Sequence, residues 1–335
     1  MVETVIYQSY SGDPLFNLAV EELLLNMVTE NQLILYLWQN RDSVVIGRYQ
    51  NPWRECFCNR MKQDGVHLAR RLAGGGAVFH DFGNVNFSFL TRPENYDLTA
   101  QSGVIQAAIR ELGIPAELNS KNNLILRGRQ FSGKAFCFRN DSVLHHGAIL
   151  VASDLSKFSR YLRISEERIR SKGSDPVRAR MVNLNEHVPS LTTERVMEAL
   201  CHSFAAIFGG DPRQVNSTAI LERESVGRFY RKYASWDWRY GENRQFDLEL
   251  SNRFEWGRIN IGLVLKNGLI DDARVYSDAG DAGFIEALSR TLIGSERDSQ
   301  AMAQSVREMD TAAENRFMCE ALAGWLTKQS EIDNG

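Results

Sequence analysis

At 335 residues the chain is long enough for two domains, and its 43% hydrophobic and 24% charged residues are typical of a globular protein. A net charge of −3 and a pI of about 6.1 argue against a nucleic-acid-binding protein, and no run approaches the ~18 apolar residues of a membrane span. The N-terminus lacks a signal-peptide pattern and the five cysteines are scattered, so we expect a cytoplasmic protein with reduced thiols.

The first part of the chain is predicted to alternate short strands with helices. Asp13-Pro14 is typical of a helix start, with aspartate as the N-cap and proline at the first helical position. Apolar residues then recur at helical spacing and predict one buried face, while Glu21-Glu22 is expected to be solvated. Asn51-Pro52 repeats the start signal and predicts a single helix that runs to about Asp64. The predicted strands cover residues 5–8, 33–38, 43–46 and 66–71.

The middle of the chain is predicted to contain helices over residues 99–112, 193–208 and 221–233. The predicted strands here cover residues 124–126, 130–139 and 143–151. Asp154 is expected to cap a short helix. Residues 165–170 are expected to form a second short helix. Residues 172–180 form a polar basic loop in this interpretation. Residues 235–241 are expected to be a connector with aromatic anchors.

The tail has a different pattern, which predicts a domain boundary near residue 245. Short strands are expected at 246–250, 253–256, 259–266 and 269–276, with a tight turn at Lys266-Asn267-Gly268. Helices are expected at 284–292, 300–309 and 312–326. We therefore predict an α+β protein with a mixed-sheet domain over residues 1–245 and a small α+β domain over residues 246–335.

The most informative stretch carries Arg70-Arg71 and the triplet Gly74-Gly75-Gly76, followed by a strand. Glycines reach positive φ at little cost, so three of them can turn their N–H groups together into a nest for anionic oxygens. Adjacent guanidiniums add forked donors that suit phosphate or carboxylate. The stretch thus indicates an anion site, although a glycine-rich hairpin with two surface arginines explains the same residues.

A second glycine feature, Gly128-Arg129-Gln130-Phe131-Ser132-Gly133-Lys134-Ala135, matches the spacing of a phosphate-binding P-loop. Two observations argue against a P-loop. Ala135 occupies the position where a serine or threonine must bind magnesium, and the following residues alternate like a strand rather than opening a helix. The match does place Lys134 beside a Ser-Gly pair.

The histidines and the basic loop leave alternatives open. His145-His146 lies in an apolar strand, so the two side chains point to opposite faces and one can line a pocket while the other packs. His80 could face a ligand or belong to a turn. Lys172, Arg178 and Arg180 could be solvated surface or a mobile loop that closes over a nucleotide.

Taken in order, these segments resemble the lipoate–protein ligase A family over nearly the whole chain. The motifs that carry the resemblance are Phe16-Asn17-Leu18-Ala19-Val20-Glu21-Glu22, Val44-Val45-Ile46-Gly47-Arg48 with Gln50-Asn51-Pro52-Trp53, Arg70-Arg71 with Gly74-Gly75-Gly76-Ala77-Val78-Phe79-His80-Asp81 and Gly83-Asn84, Ser132-Gly133, His145-His146-Gly147, and Val177-Arg178-Ala179-Arg180 with Asn183-Leu184. The tail from Trp236 resembles the family's C-terminal accessory domain.

The resemblance implies a fold shared with biotin ligases and a two-step reaction. Lipoate and MgATP would give lipoyl-adenylate and pyrophosphate, and the lipoyl group would then pass to a lysine of an acceptor. The implied partners are apo lipoyl domains of 2-oxoacid dehydrogenase E2 subunits and the glycine-cleavage H protein. Nucleic acid and membranes are not expected partners, and a monomer is the default expectation.

The resemblance also assigns site residues. Lys134 and Gln130 would be catalytic, and magnesium would be held through the ATP phosphates with a possible contribution from Asn123. The implied ATP and adenylate contacts are Arg71, Gly74, Gly75, Gly76, Ala77, Val78, Phe79, Asn122, Asn123, Lys172 and Arg178. The implied lipoate contacts are Leu18, Arg71, Ala73, Gly76, His80, Lys134 and His146. Val78 and Phe79, with Leu18 and Ala73, would line the channel for the lipoyl tail.

Two positions depart from the family pattern, and both affect adenylation. Gln130 stands where the family has a lysine that bridges phosphate and carboxyl oxygen, and Asn123 stands where an aspartate is usual. On a regular strand, Lys134 would point to the same side as Gln130 from ~13 Å away, so it could replace the missing charge. The alternatives are a transferase that uses preformed lipoyl-adenylate and a catalytically silent binder of lipoate or of a lipoyl domain.

Overall fold

The computed structural model describes residues 2–119, 123–139, 141–163, 180–216, 224–241, 246–279 and 281–329. The chain divides into two compact units. The first comprises Met1–Ile46, Pro52–Leu72 and Ala77–Arg239. The second comprises Gly47–Asn51, Ala73–Gly76 and Tyr240–Gly335. Both units combine helices with β-sheet, which confirms the predicted α+β class.

Among its described residues the first unit contains twelve strands and eight α-helices, the last of which ends one residue beyond the unit. The strands are β1 (Glu3–Gln8), β2 (Gln32–Trp38), β3 (Ser43–Ile46), β4 (His67–Arg70), β5 (Val78–His80), β6 (Asn84–Thr91), β7 (Glu117–Leu118), β8 (Leu124–Leu126), β9 (Arg129–Gln130), β10 (Ser132–Phe138), β11 (Val143–Leu150) and β12 (Arg213–Asn216). The helices are α1 (Pro14–Met27), α2 (Pro52–Glu55), α3 (Cys58–Gln63), α4 (Leu98–Glu111), α5 (Ser156–Tyr161), α6 (Thr193–Phe208), α7 (Glu224–Ala234) and α8 (Trp236–Tyr240). No described helix is long and apolar enough to cross a membrane.

A mixed six-stranded sheet in the order β10-β11-β6-β2-β1-β12 organises the first unit. The pairs from β10 to β2 are antiparallel, while β2, β1 and β12 run parallel. One face carries Leu35, Phe87, Phe89 and Ile149 into the main hydrophobic core, which α4 and α6 cover. Because side chains alternate along a strand, the intervening residues of β2, β6 and β11 point to the opposite face.

Two three-stranded sheets complete the first unit. In the first, β3 lies between β4, which is parallel to it, and β5, which is antiparallel. In the second, β7, β8 and β9 form an antiparallel meander. The β4-β3-β5 sheet places Arg70, at the end of β4, and His80, at the end of β5, in one layer.

The second unit has its own sheet and core. Strands β13 (Leu248–Phe254), β14 (Gly257–Lys266) and β15 (Leu269–Ser277) are antiparallel, and helices α9 (Ala282–Leu292), α10 (Ser299–Glu308) and α11 (Arg316–Leu326) complete the unit. Its core includes Ile261, Leu288 and Leu322, none of which is more than 1% exposed. The predicted turn is present, with φ of 54° at Asn267 and 80° at Gly268.

Several predicted elements differ in the structure. The expected helix after Pro52 is two short helices, because Cys56 leaves helical geometry to form a β-bridge with Leu162. The expected strand over 130–139 is interrupted at Phe131, and β9 and β10 belong to different sheets. The expected connector after residue 235 is helical as α8. The two strands expected over 246–256 are one, β13, and β12 was not predicted.

Candidate functional site

A buried polar cluster lies between α1 and the sheet face opposite the main core. The Glu21 carboxylate is fully buried, and its Oε1 accepts a hydrogen bond from the Ser88 hydroxyl at 2.5 Å and pairs with His146 Nδ1 at 2.9 Å. Trp38 Nε1–H donates to Ser88 Oγ over 3.2 Å. Glu21 Oε2 is buried with no partner among the described residues. Such an atom is costly to bury unless a ligand or water completes the site.

The expectation that Glu21-Glu22 is solvated is wrong, because both carboxylates are buried. Glu22 Oε2 pairs with Lys232 Nζ of α7 at 2.7 Å, and its Oε1 lies 3.4 Å from Arg139. Helix α1 packs against α7 and β6, so its polar residues are enclosed by segments far away in sequence. The two neighbouring carboxylates therefore have different partners.

Replacing Glu21 by glutamine is expected to lower kcat/KM for the two-step reaction that the resemblance implies by about tenfold or more. Glutamine keeps the shape, but a neutral acceptor holds His146 roughly half as strongly as a carboxylate. Steady-state kinetics of E21Q, H146A and the double variant would measure the effect. If Glu21 acts through His146, E21Q should have little effect in the H146A background.

The control for Glu21 is Glu22→Gln. It removes a carboxylate from the same helix and weakens the pairs with Lys232 and Arg139, which lie outside the Glu21–His146 cluster. We expect E22Q to lower the melting temperature and to leave kcat/KM of the folded protein within a fewfold. Equal losses in E21Q and E22Q would contradict a positioning role for Glu21.

A second network fixes His80 beside this cluster. Asn17 Nδ2 donates to Asn40 Oδ1 at 3.0 Å, and Asn40 Nδ2 donates to His80 Nδ1 at 3.2 Å. Since Nδ1 accepts, the proton of the neutral ring lies on Nε2, which is buried without a partner among the described residues. Burial, reinforced by Arg71 and His146, lowers the pKa of His80 to about 3. His80 is therefore a neutral imidazole that can offer an N–H to a ligand.

Arg71 supplies a buried cation near the same residues. Its side chain is 6% exposed, and Nη1 donates to the Val45 carbonyl at 3.2 Å. Burial lowers the pKa of Arg71 to about 10, and the Glu21 carboxylate opposes that shift. The guanidinium is thus still charged at neutral pH. A buried cation beside a neutral N–H donor can bind a carboxylate or phosphate oxygen.

Arg70 has a different role from its neighbour. Its Nε donates to the Trp238 carbonyl at 2.6 Å and its Nη2 to the Arg239 carbonyl at 3.0 Å. Trp238 Nε1–H donates back to the Arg70 carbonyl at 2.9 Å. The guanidinium therefore binds carbonyls of α8, where a cation is favourable. The two arginines are not the joint anion clamp that the sequence suggested.

The structure separates His145 from His146, as their adjacency predicted. His145 points into the main core, where its Nδ1 lies 2.8 Å from Gln101 Oε1 and its ring stacks on Phe136 at 4.8 Å. Lys134 lies on this same face, opposite Gly147 in the β10-β11 ladder. A small cavity here is lined by Phe87, Ser102, Ile105, Asn123, Leu124, Ser132, Lys134 and His145. Lys134 is therefore grouped with Asn123, not with His146.

The sequence predicted that Gln130 and Lys134 point to the same side of one strand. The strand is interrupted at Phe131 and the two residues belong to different sheets, so simple alternation does not relate them. The Gln130 main chain is held by hydrogen bonds to Arg180 O at 2.7 Å and from Val182 N–H at 3.1 Å. Its side-chain amide donates to the Ser132 carbonyl at 2.7 Å. Gln130 is thus a neutral group with one of its two side-chain N–H donors engaged. Partial burial lowers the pKa of Lys134.

The glycine triplet belongs to the second unit. Gly75 has a φ of 89°, and its N–H donates to the Ala279 carbonyl at 2.9 Å. Arg48 N–H donates to Ala73 O at 2.9 Å, and a Cβ on Gly47 would lie 2.1 Å from Gly75 O. The expected nest of three inward N–H groups is therefore wrong for Gly75, whose N–H is occupied. The close approach of the two loops explains why Gly47 has no side chain.

The residues after the triplet point in two directions. Val78 and His80 share one face of β5, whereas the Phe79 ring is on the other and stacks against Tyr161 at 5.6 Å and Phe158 at 6.0 Å. The Phe79 side chain therefore packs on α5 and does not join His80, so the expectation that it lines a channel is wrong. Ala77 is partly exposed, and Leu18 and Ala73 are fully buried.

Asp81 and Asn84 of the same motif are structural. Asp81 Oδ1 accepts from Ser153 Oγ at 2.7 Å, and its Oδ2 accepts from Asp154 N–H at 2.9 Å. Asn84 Oδ1 accepts from Asp81 N–H at 2.9 Å. A Cβ on Gly83 would lie 2.4 Å from the Ala152 carbonyl. These contacts tie the end of β5 to the segment after β11.

Asn122, Lys172 and Arg178, which the resemblance assigned to the nucleotide, lie outside the described residues. In the part of the chain that the structure describes, no three acidic, histidine or cysteine side chains are grouped to hold a metal ion. Asn123 is described, but its side chain is an amide without charge. The described residues therefore do not by themselves form a magnesium site.

Comparison with known proteins gives two adjacent family matches. Residues 13–205 match the lipoyl protein ligase A/B catalytic domain. Residues 243–326 match the bacterial lipoate protein ligase C-terminus.

Solved structures of similar chains agree with these matches. LipL1 of P. falciparum, in complex with lipoate, is 26% identical with a TM-score of 0.85, over 97% of this chain and 99% of that chain. A bipartite lipoate protein ligase from Thermoplasma acidophilum, studied with its E2 lipoyl domain, is 26% identical with a TM-score of 0.64. The match covers 74% of this chain and 100% of that chain. Lipoate-protein ligase A bound with ATP is 26% identical with a TM-score of 0.61. The match covers 72% of this chain and 99% of that chain.

Proposed function

The chain belongs to the lipoyl protein ligase A/B family, and from this we propose that it is an ATP-dependent lipoate–protein ligase. In the first step the lipoate carboxylate attacks the α-phosphorus of ATP, and pyrophosphate leaves. In the second step the ε-amine of an acceptor lysine attacks the carbonyl carbon of lipoyl-adenylate. An amide forms and AMP leaves with the bonding pair.

The observation that carries this proposal is the buried cluster around Arg71. A charged guanidinium, a neutral His80 and the Glu21–His146 pair lie close enough for their charges to act on one another. Glu21 Oε2 and His80 Nε2 are buried without partners among the described residues. The ionised carboxyl end of lipoate can accept from His80 Nε2–H and pair with Arg71, whereas Glu21 Oε2 requires a hydrogen-bond donor.

ATP, magnesium and lipoate are the proposed small molecules. Since the described residues lack a metal-binding cluster, we propose that magnesium arrives on the ATP phosphates. Lys134 and Asn123, which line one cavity, are proposed to contact the phosphate end, and Leu18, His80 and His146 the lipoyl group. Gly74 to Gly76, Ala73, Ala77, Val78 and the Phe79 backbone remain proposed contacts on the resemblance alone.

A transferase that uses preformed lipoyl-adenylate is the second candidate. It is favoured by Gln130, a neutral residue whose amide already donates to Ser132 O at 2.7 Å. A neutral donor stabilises a crowded anion less than a lysine does. Such a protein would bind the adenylate and carry out only the second step.

The acceptors proposed are lipoyl domains of 2-oxoacid dehydrogenase E2 subunits and the glycine-cleavage H protein. The Thermoplasma acidophilum neighbour, which was studied with its E2 lipoyl domain, supports the first of these. We also propose that the protein acts as a monomer in the cytoplasm.

Lipoate-dependent exchange of pyrophosphate into ATP is the expected result for a ligase. Purified protein would be assayed with ATP and magnesium, with lipoate, with octanoate and with neither acid, and acceptor domains would be weighed by mass spectrometry. No exchange, together with modification from synthetic lipoyl-adenylate, would establish the transferase. Modification from neither donor would leave a binding protein and overturn both enzymatic proposals.

A further inference from the structure

A cluster of arginines surrounds one exposed edge of the first unit, where α3 meets α5. The Cζ atoms of Arg60 and Arg163 lie 5.1 Å and 4.5 Å from the centroid of the Phe57 ring. Arg160 is adjacent, since its carbonyl accepts a hydrogen bond from Arg60 Nη1 at 3.0 Å. All three arginines are exposed and Phe57 is half-buried. We call Phe57, Arg60, Arg160 and Arg163 the Phe57 surface.

The Phe57 surface carries an excess of positive charge. Arg160 is paired with Asp64, whose Oδ2 lies 2.7 Å from Nη2, and Asp64 also accepts from Tyr161 OH at 2.9 Å. Arg60 and Arg163 form no ion pair with any described residue, and their hydrogen bonds go to main-chain carbonyls. Among the described residues, three guanidiniums therefore surround one carboxylate, which leaves an excess of two positive charges on this surface.

The cations are held in place rather than dispersed in solvent. Phe57 N–H donates to Tyr161 O at 2.9 Å, and Arg163 N–H donates to Glu55 O at 2.7 Å. Arg163 Nε donates to Cys56 O at 3.2 Å. Guanidiniums ordered over an aromatic ring lose less entropy on binding than mobile lysines do. Arginine and aromatic residues are also those enriched at the centres of protein interfaces.

The Phe57 surface is one packing layer from the candidate site. Tyr161, which anchors it through Asp64, stacks on the Phe79 ring with centroids 5.6 Å apart. Phe79 and His80 are consecutive residues of β5 and point to opposite sides of that strand. A protein bound at the Phe57 surface would therefore lie close to the strand that carries His80.

We propose that the Phe57 surface is the docking site for an acidic face of the acceptor lipoyl domain, an inference that rests on the proposed function. Two forked guanidiniums that form no ion pair with a described residue suit two surface carboxylates, and the Phe57 ring supplies the apolar contact between them. Docking there positions the acceptor, whereas lipoate and ATP bind elsewhere. Losing the surface should therefore change the KM for the acceptor and not lipoate activation.

The test is the charge-reversed variant R60E/R163E with an apo lipoyl domain as the varied substrate. We expect KM for the acceptor to rise by about tenfold or more, with kcat nearly unchanged, because paired interfacial charges govern association. Wild-type KM should rise with ionic strength, and the variant should lose that dependence. Lipoate-dependent pyrophosphate exchange should be equal in both proteins. The neutral variant R60Q/R163Q, checked by melting temperature, excludes a folding defect and should have an intermediate KM.

The control is Arg195→Glu, which reverses an exposed charge at the start of α6 and should leave KM unchanged. An acceptor whose acidic residues are replaced by lysine should recover activity with R60E/R163E and lose it with wild type. If wild type modifies the acceptor and R60E/R163E does so with the same KM, the docking proposal is wrong and the ligase stands. If wild type neither binds nor modifies any lipoyl domain, both proposals are wrong.

Discussion

Arg71→Ala is expected to lower lipoate-dependent pyrophosphate exchange by at least about 100-fold, the loss seen when one donor to a developing anion is removed. The neighbouring Arg70→Ala should leave exchange per folded molecule within a fewfold. The reason is geometric. Arg71 is a buried cation among Glu21, His80 and His146, whereas Arg70 donates to two main-chain carbonyls of α8.

Both arginine variants should also lose stability, for different reasons. Arg70→Ala leaves the Trp238 and Arg239 carbonyls without their donor and should cost about 1–3 kcal/mol of unfolding free energy. Arg71→Ala removes a cation that acts on the buried Glu21 carboxylate, so R71A/E21Q is needed as a neutral partner variant. Urea unfolding and pyrophosphate exchange on the same samples would separate the effects. Equal loss of exchange in both single variants would contradict the division of roles.

Much of the fold could be predicted from local signals. Asp13 accepts the Leu15 N–H at the start of α1, as its position before Pro14 indicated. Helix α6 has the predicted bounds, and the turn at Asn267-Gly268 adopts positive φ at both residues. These features depend on interactions within four residues, which the sequence displays directly.

The remaining elements depend on partners far along the chain. Helical periodicity continued through Cys56, but the pairing of Cys56 with Leu162 breaks the helix there. Strand β12 is short and polar, and it forms only because β1 offers a parallel edge. Local pattern contains no information about either partner, so neither feature could be derived from it.

The site was only partly predictable for the same reason. Opposite faces for His145 and His146 follow from strand geometry, and the structure shows them. The burial of Glu21 did not follow, because α1 is enclosed by α7 as well as by the sheet. The i, i+4 spacing of Asn17 and Glu21 was the available signal, since it places both polar side chains on one helix face. Both belong to the buried networks that hold His80 and His146.

Replacing Lys134 by alanine is expected to lower lipoate-dependent pyrophosphate exchange by at least about 100-fold, with transfer from synthetic lipoyl-adenylate kept within a fewfold. Adenylation brings a carboxylate against a triphosphate and so needs positive charge, whereas aminolysis of the adenylate needs less. Gln130 is neutral and already donates to Ser132 O. Lys134 lines the same cavity as Asn123 and Ser132, where we propose that the phosphate end binds. Lys62→Ala, on an exposed position of α3, is the matched control.

A second substitution distinguishes two explanations of Gln130: either Lys134 has taken over the role of the family's lysine, or the protein does not carry out adenylation. If Lys134 replaces the missing charge, Gln130→Lys in the K134A background should restore exchange, because it puts a cation at the position where the family has its lysine. If wild type and Q130K both lack exchange but transfer lipoyl from the adenylate, the protein is the transferase, and Lys134 is a core-facing residue beside His145. If K134A keeps full exchange, adenylation needs a lysine neither at position 134 nor at position 130. The positive charge for activation would then come from other residues, of which Arg71 is the described candidate and Lys172 and Arg178 are the candidates that the resemblance implies.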